Sequence, residues 1–164
     1  MTVEPAPLRC ATASDLTATL SLIGEYYAFD GIGFDRDSLE QGLRTLLSEP
    51  LLGRVYLIES GTIESGMVVA GYTILTFGFD LEFGGRQATM TDLYLRPAFR
   101  GAGLGRASMA ALEAVCQELE IGALELQVER DNRAAQAFYG RLGFQAHDRI
   151  PMSKRLSGAT FDAR

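Results

Sequence analysis

This 164-residue chain has no tryptophan, one histidine and two cysteines. Cys10 and Cys116 lie far apart, with no second Cys or His at ligand spacing, so neither a zinc site nor a disulfide framework is expected. His147 is the lone histidine and reads as a surface or capping residue; Cys10 and Cys116 both read as core. Basic residues are outnumbered, 15 Lys and Arg against 21 Asp and Glu, for a net charge of −6. A chain this acidic gains nothing from counterion release on a phosphate backbone, so no nucleic-acid partner is expected. No apolar run approaches the ~18 residues of a membrane span. Met1 to Pro7 lacks a basic stretch followed by an apolar one, so no secretory signal is expected. These absences leave a reduced, cytoplasmic protein with no membrane association as the expectation.

What is present is globular. Apolar residues make up 47% and charged residues 22%, which excludes disorder or coiled coil as the main state. The length suits one domain over residues 1–164, with frayed ends at 1–7 and 157–164. Leu8 to Ala13 reads as a short strand. Ser14 or Asp15 then caps a helix carrying Leu16, Leu20, Ile23 and Tyr27 on one stripe. Two glycines between Phe29 and Phe34 end it, and a second helix places Leu39, Leu43 and Leu46 together before Glu49-Pro50. Arg54–Glu59 and Met67–Phe77 read as an antiparallel hairpin, the second strand apolar on both faces and therefore central.

Gln87–Leu95 is the next strand. A helix over Leu104–Glu120 follows, with Leu104, Ser108, Ala111, Leu112, Val115 and Leu119 inward. Leu124, Leu126 and Val128 alternate with polar residues as a strand parallel to Gln87–Leu95. A short helix from Asn132 to Leu142 ends at Gly143, and Phe144–Leu156 offers one or two closing strands. The fold class is α/β, a mixed sheet covered by helices.

The densest chemical signal is the turn Arg100-Gly101-Ala102-Gly103-Leu104-Gly105-Arg106 between a strand and a helix. Alternating glycines uncover backbone N–H groups, and the helix start adds partial positive charge, which suits a diphosphate. Arg96, Arg100 and Arg106 reverse the acidic balance locally, with Asp92 as the nearby acid. The turn lacks the Gly-Lys-Ser/Thr of a P-loop, and its third glycine comes one position early for a dinucleotide fingerprint. Downstream, Asn132 and Tyr139 stand two helical turns apart and share a face.

Arg100-Gly101-Ala102-Gly103-Leu104-Gly105 resembles the R/Q-x-x-G-x-G/A signature of the GNAT superfamily of acetyl-CoA-dependent N-acetyltransferases. Asn132 with Tyr139-Gly140-Arg141-Leu142-Gly143-Phe144 is similar to that family's N-x(6)-Y-x-x-x-G-F segment. The resemblance covers about residues 88–145 and implies a mixed, mostly antiparallel sheet of six to seven strands. Helices would cover both faces, and a parallel, splayed pair would lie at the centre. It implies acetyl-CoA as cosubstrate and the amine of a small molecule as acceptor. The backbone of Arg100, Gly101, Ala102, Gly103, Leu104 and Gly105, with Arg106, would hold the diphosphate. Leu93, Tyr94 and Leu95 would run along the pantetheine arm, with Leu93 and Leu95 offering main-chain groups. Asn132 would steady the cofactor. Tyr139 would protonate the departing thiolate, a role its ordinary pKa of ~10 permits.

For the base, Asp92 comes first, ahead of Asp80, Glu82, Glu129 or a water chain. The Glu-Asp of polyamine-type relatives is Thr91-Asp92 here, so a polyamine acceptor is not implied. A sensor that binds acetyl-CoA without catalysis, or an acetyltransferase of proteins or peptides, would share the glycine turn. The resemblance also suggests a homodimer, paired along Ile150–Leu156.

Overall fold

A computed structural model describes residues 8–62, 66–154 and 156. The elements are β1 (Leu8–Cys10), α1 (Leu16–Asp30), α2 (Arg36–Ser48), β2 (Gly53–Thr62), β3 (Gly66–Asp80), β4 (Gly85–Leu95), α3 (Leu104–Glu118), β5 (Ala123–Leu126) and α4 (Arg133–Arg141). By its contacts the chain divides into a unit ending at Leu126 and a second beginning at Gln127. The first holds the whole sheet, ordered β1-β2-β3-β4-β5. Every pairing is antiparallel except β4–β5, which is parallel.

The central place expected for Met67–Phe77 is the place β3 occupies, between β2 and β4. Side chains alternate across β2, so Val55 and Leu57 face one way and Ile58 the other. Val55, Leu57, Tyr72, Ile74 and Tyr94 pack under Leu16, Leu20, Leu22 and Ile23 of α1 and Leu43 of α2. On the opposite face Leu104 of α3 joins Ile58 and Ala70, flanked by Leu93, Leu95 and Phe99. Helices therefore cover both faces, and each fully buried Leu or Ile contributes about 1.5–3 kcal/mol.

Local chemistry accounts for the helix ends. Gly31 closes α1 in the left-handed region (φ 67°), its N–H donating to Tyr27 O. Asp35 caps α2 by accepting from Ser38 N–H at 3.3 Å. Asp15 stands at the N-cap of α1, one of the two positions expected, but its side chain makes no cap bond to the helix. A 3-10 turn over Ala13–Asp15 precedes the helix, and the Asp15 carboxylate reaches back to Thr12 N–H at 2.8 Å. Arg9 fixes that carboxylate at 2.9 Å and holds its pKa down at about 2.

Several other expectations need correction. The described residues form five strands, and the parallel pair lies at the end of the strand order rather than at its centre. Phe144–Leu156 supplies no strand among its described residues, and the edge expected there for dimer pairing is not formed. Pro151 offers no backbone donor, and Ile150, Met152 and Leu156 stay exposed, so that segment has neither a full ladder nor a buried face. β5 stops at Leu126, short of Val128, because its pairing with β4 ends there. Cys10 is exposed, whereas Cys116 is buried as expected. On α3 the buried residues are Leu104, Ser108, Met109, Leu112 and Cys116, while Ala111, Val115 and Leu119 border the stripe. Residues 1–7 and 157–164, expected to fray, lie outside the described residues. Among the described residues no helix is long and apolar enough to cross a membrane.

Candidate active site

The site is built on the last five residues of β4. β5 pairs with Gln87 through Met90 and no further. At the same point β4 carries a bulge: Leu75 lies opposite Met90 and Ile74 opposite Asp92, leaving Thr91 as the extra residue. Arg96 N–H donates to Ala70 O at 2.9 Å, which sets the phase of the β3–β4 ladder beyond the bulge. In that phase Tyr94 and Asp92 exchange main-chain bonds with β3, while the N–H and C=O groups of Leu93 and Leu95 point to the other side. That is the side β5 has left. Close approach of the two strands here requires glycine on β3, since a Cβ at Gly71 would collide with Tyr94 O.

The glycine turn follows directly. Gly101 (φ 81°) and Gly103 (φ 88°) adopt the left-handed region, and Gly103 caps α3. The first bond into the helix runs from Ala107 N–H to Gly103 O at 3.0 Å, so the preceding amides are the orphan donors of a helix start. Arg100 N–H already donates to Pro97 O at 3.2 Å, which narrows the donor set to the residues from Gly101 onward.

The three arginines have separated. Arg96 grips Glu25 of α1 through two bonds of 2.8 and 2.9 Å and donates to Val69 O at 3.0 Å. That pairing lowers the pKa of Glu25. Arg100 Nε donates to the outward-facing Leu95 O at 2.7 Å, with the guanidinium 4.6 Å from the Phe29 ring centroid. Arg106, exposed on the first turn of α3, makes no ion pair among the described residues and is the cation left for an anion.

Asp92 sits on the α1–α2 face. Tyr72 Oη donates to its Oδ2 at 3.2 Å, and Thr73 Oγ1 donates to its carbonyl at 2.8 Å. Burial pushes the carboxyl up to about 6, against the pull of the Tyr72 bond. Burial and the neighbouring carboxylate push the Tyr72 phenol upward as well, so it remains a donor. A carboxylate near neutrality suits a general base. Asp80 and Glu82, considered for the same work, lie at the opposite end of β4, where Asp80 pairs beside Gly85 and accepts from Glu82 N–H at 2.8 Å. Seven residues of strand put them ~20 Å from Asp92. Tyr72 and Glu25 were not singled out by the sequence; their partners are 20 and 71 positions away.

Within the second unit, Asn132 caps α4, its Oδ1 accepting from Ala135 N–H at 3.0 Å. Tyr139 lies edge-on to Phe138 and Phe144, with centroids 5.1 and 5.6 Å away, and burial raises its pKa. The phenol therefore keeps its proton at neutral pH. Gly143 (φ 93°) closes the helix and lets Phe144 N–H turn back to Tyr139 O at 3.1 Å. Glu129 contributes its carbonyl to Gln136 Nε2 and to Asn132 N–H. His147 is exposed. Among the described residues no group of His, Cys, Asp or Glu could hold a metal ion.

Comparison with known proteins adds the following. The family model described as "Acetyltransferase (GNAT) family" matches residues 24–144. The chain is 34% identical over 71 residues to an uncharacterized N-acetyltransferase, YycN, of Bacillus subtilis (strain 168). That match covers 43% of this chain and 45% of the relative, so it spans less than half of that protein. An integron cassette protein, HFX_CASS3, from the mobile metagenome of Cole Harbour Salt Marsh superposes with TM-score 0.78 at 30% identity, over 93% of this chain and 91% of that one. A predicted acetyltransferase from Clostridium acetobutylicum, solved with acetyl-CoA, superposes with TM-score 0.72 at 19% identity, over 90% and 95% of the two chains. At that identity the likeness is one of fold.

Proposed function

Because the chain belongs to the acetyltransferase (GNAT) family, whose members are acetyl-CoA-dependent acyltransferases, we propose that it moves an acetyl group from acetyl-CoA to the amine of a small molecule by direct attack. The observation that carries this reading is the unpaired end of β4. Leu93 and Leu95 turn main-chain donors and acceptors into the place a parallel strand has vacated, which is where an amide-bearing pantetheine arm can pair as a strand would. The amides from Gly101 to Arg106, with the Arg106 guanidinium, supply the diphosphate site at the start of α3. For the arm to use Leu95 O, the Arg100 side chain must share or release it.

Asp92 serves as base. It takes a proton from the ammonium, and the neutral nitrogen attacks the thioester carbonyl carbon. The C–S bond then breaks and sulfur leaves as thiolate. Tyr139 is assigned the proton that the thiolate receives, on the family resemblance and on a phenol that burial keeps protonated. On the family resemblance Asn132, whose Oδ1 caps α4, is assigned to steady the cofactor. The amine loses two protons in all; one ends on CoA and the other in solvent.

Thermal denaturation with and without acetyl-CoA, followed by thiol release with an amine panel, tests the reading. Acetyl-CoA should raise Tm, because it binds only the native turn. Gly103→Val should abolish the shift, since valine tolerates the left-handed cap poorly and projects a side chain toward the phosphates. A protein indifferent to millimolar acetyl-CoA, yet stabilised by ATP or NAD, would sink the proposal. Tyr139→Phe should lower kcat by ~10² or more while leaving the acetyl-CoA shift intact. A wild-type rate in that variant would leave Tyr139 a packing residue.

A further inference from the structure

On the α1–α2 face of the sheet, the surroundings of Asp92 are aromatic and uncharged. The Tyr72 ring centroid is 6.2 Å from that of Tyr94, Tyr94 is 5.7 Å from Tyr26, and Tyr26 is 5.8 Å from Tyr27. Phe34, in the loop after α1, continues the surface 6.2 Å from Tyr27. Three segments distant in sequence, α1 with the loop after it, β3 and β4, thus build one aromatic wall. Tyr72 is fully buried behind Asp92, whereas Asp92, Tyr26 and Tyr27 each keep part of their surface open.

The charged groups beside Tyr94 are Glu25, Arg96 and Arg100, and each is engaged within the protein. The Glu25 carboxylate is held by Arg96 through two bonds, and the third contact of Arg96 goes to Val69 O. Arg100 rests on the faces of Phe29 and Tyr94, with its Nε donating to Leu95 O. Asp92 has a phenol for a partner, and among the described residues no cation pairs with it. A carboxylate taken out of water without a counter-ion is costly, and a bound cation relieves that cost. Ring faces beside it add cation–π attraction and favour an apolar body over a hydrated one. The same inventory rejects other acceptors. A substrate carboxylate would have to draw Arg96 from Glu25 or Arg100 from its ring faces, and a second ammonium would have to draw Glu25 from Arg96.

We propose that the acceptor is a monocationic amine on an apolar body without a carboxylate, seated with its ammonium on Asp92 against the tyrosines of α1 and β4. This inference rests on the acetyltransferase reading and narrows its substrate class. The reaction balances as R–NH3+ plus acetyl thioester giving the acetamide, the free thiol and one proton. One N–C bond forms and one C–S bond breaks.

The test uses the full chain, acetyl-CoA and thiol release. 2-Phenylethylamine and butylamine should each exceed phenylalanine and spermidine in kcat/KM by ~10-fold or more. Phenyltrimethylammonium, which cannot be acetylated, should inhibit competitively against the amine. Tyr26→Leu should weaken that inhibition several-fold, the range of a cation–π contact, while Tyr26→Phe retains it. Both variants should keep the wild-type Tm shift with acetyl-CoA, which reports that they fold and that the cofactor site is intact. Equal or better turnover of phenylalanine or spermidine overturns the inference, as does inhibition unchanged in Tyr26→Leu. In either case a preserved acetyl-CoA shift leaves the acetyltransferase reading standing. Loss of that shift in the unmutated protein would instead remove both.

Discussion

The two halves of β4 share a strand and differ in their neighbours. From Gly85 to Met90 the strand lies beside β3 and is joined by β5 from Gln87 onward; from Thr91 to Leu95 it has β3 alone. The first half buries Ala88 and Met90. The second presents outward main-chain groups and the Asp92 carboxylate, then runs into the glycine turn. One strand thus carries core side chains along its length, Tyr94 included, and leaves one main-chain edge unpaired at its end. The change falls at Thr91, where the bulge and the end of the parallel ladder coincide. An unpaired strand edge is ordinarily a liability. In the proposed function it becomes useful, because the helix start beside it would give acetyl-CoA a second anchor.

Substitutions on either side of Thr91 should separate those two duties. The largest effect is expected from Asp92→Asn, with kcat/KM falling ~10²–10⁴-fold at neutral pH. A pH–rate profile should show the deficit narrowing as pH approaches the amine's own pKa, because the acceptor then deprotonates unaided. Stability should move the other way. The folded pKa of Asp92, about 6, lies above its unfolded value. Ionised Asp92 therefore costs the native state stability above pH ~6, and the penalty vanishes below ~4, where both states are protonated. Asp92→Asn should raise Tm at pH 7 and lose that gain at pH 4, which thermal melts at the two values would check.

Ala88→Leu, in the doubly paired half, should do the reverse. Its site is fully buried, so overpacking should cost about 1–3 kcal/mol in denaturant titrations. The acetyl-CoA affinity of the folded fraction should stay unchanged; a selective loss of affinity would mean that the halves are not separable. The smallest effect is expected from Tyr72→Phe, which keeps the ring and removes the phenol donor. The Tyr72 bond lowers the pKa of Asp92, so its loss should move the acid limb of kcat/KM upward by about half to one pH unit. The plateau should change only a few-fold.

How much of this was legible in the chain itself depends on distance in sequence. The glycine turn, the start of α3, the start of α4 at Asn132 and its close at Gly143 were all readable, because each is settled within a few residues. The centrality of β3 was readable too, since both of its faces are apolar. The facing of Asp92 was not. Unbroken alternation would put it on the same side as Met90, yet the bulge places Ile74 opposite Asp92 and Leu75 opposite Met90, on different faces. Three arginines looked equivalent on the page of letters. Only folding delivered Glu25 to Arg96 and the Leu95 carbonyl to Arg100, leaving Arg106 without an ion-pair partner among the described residues.

By itself, then, the sequence determined the features whose energies are local. Left-handed turns that glycine alone enters cheaply, helix periods and caps within one turn all belong to that group. Only the tertiary structure decided where β5 stops beside β4, which face carries Asp92 and which tyrosines surround it. The physical reason is that a strand's register and the partner of a buried charge are set by whichever segment packs alongside. In this chain those segments are α1, α2 and β3, which come from elsewhere in the sequence.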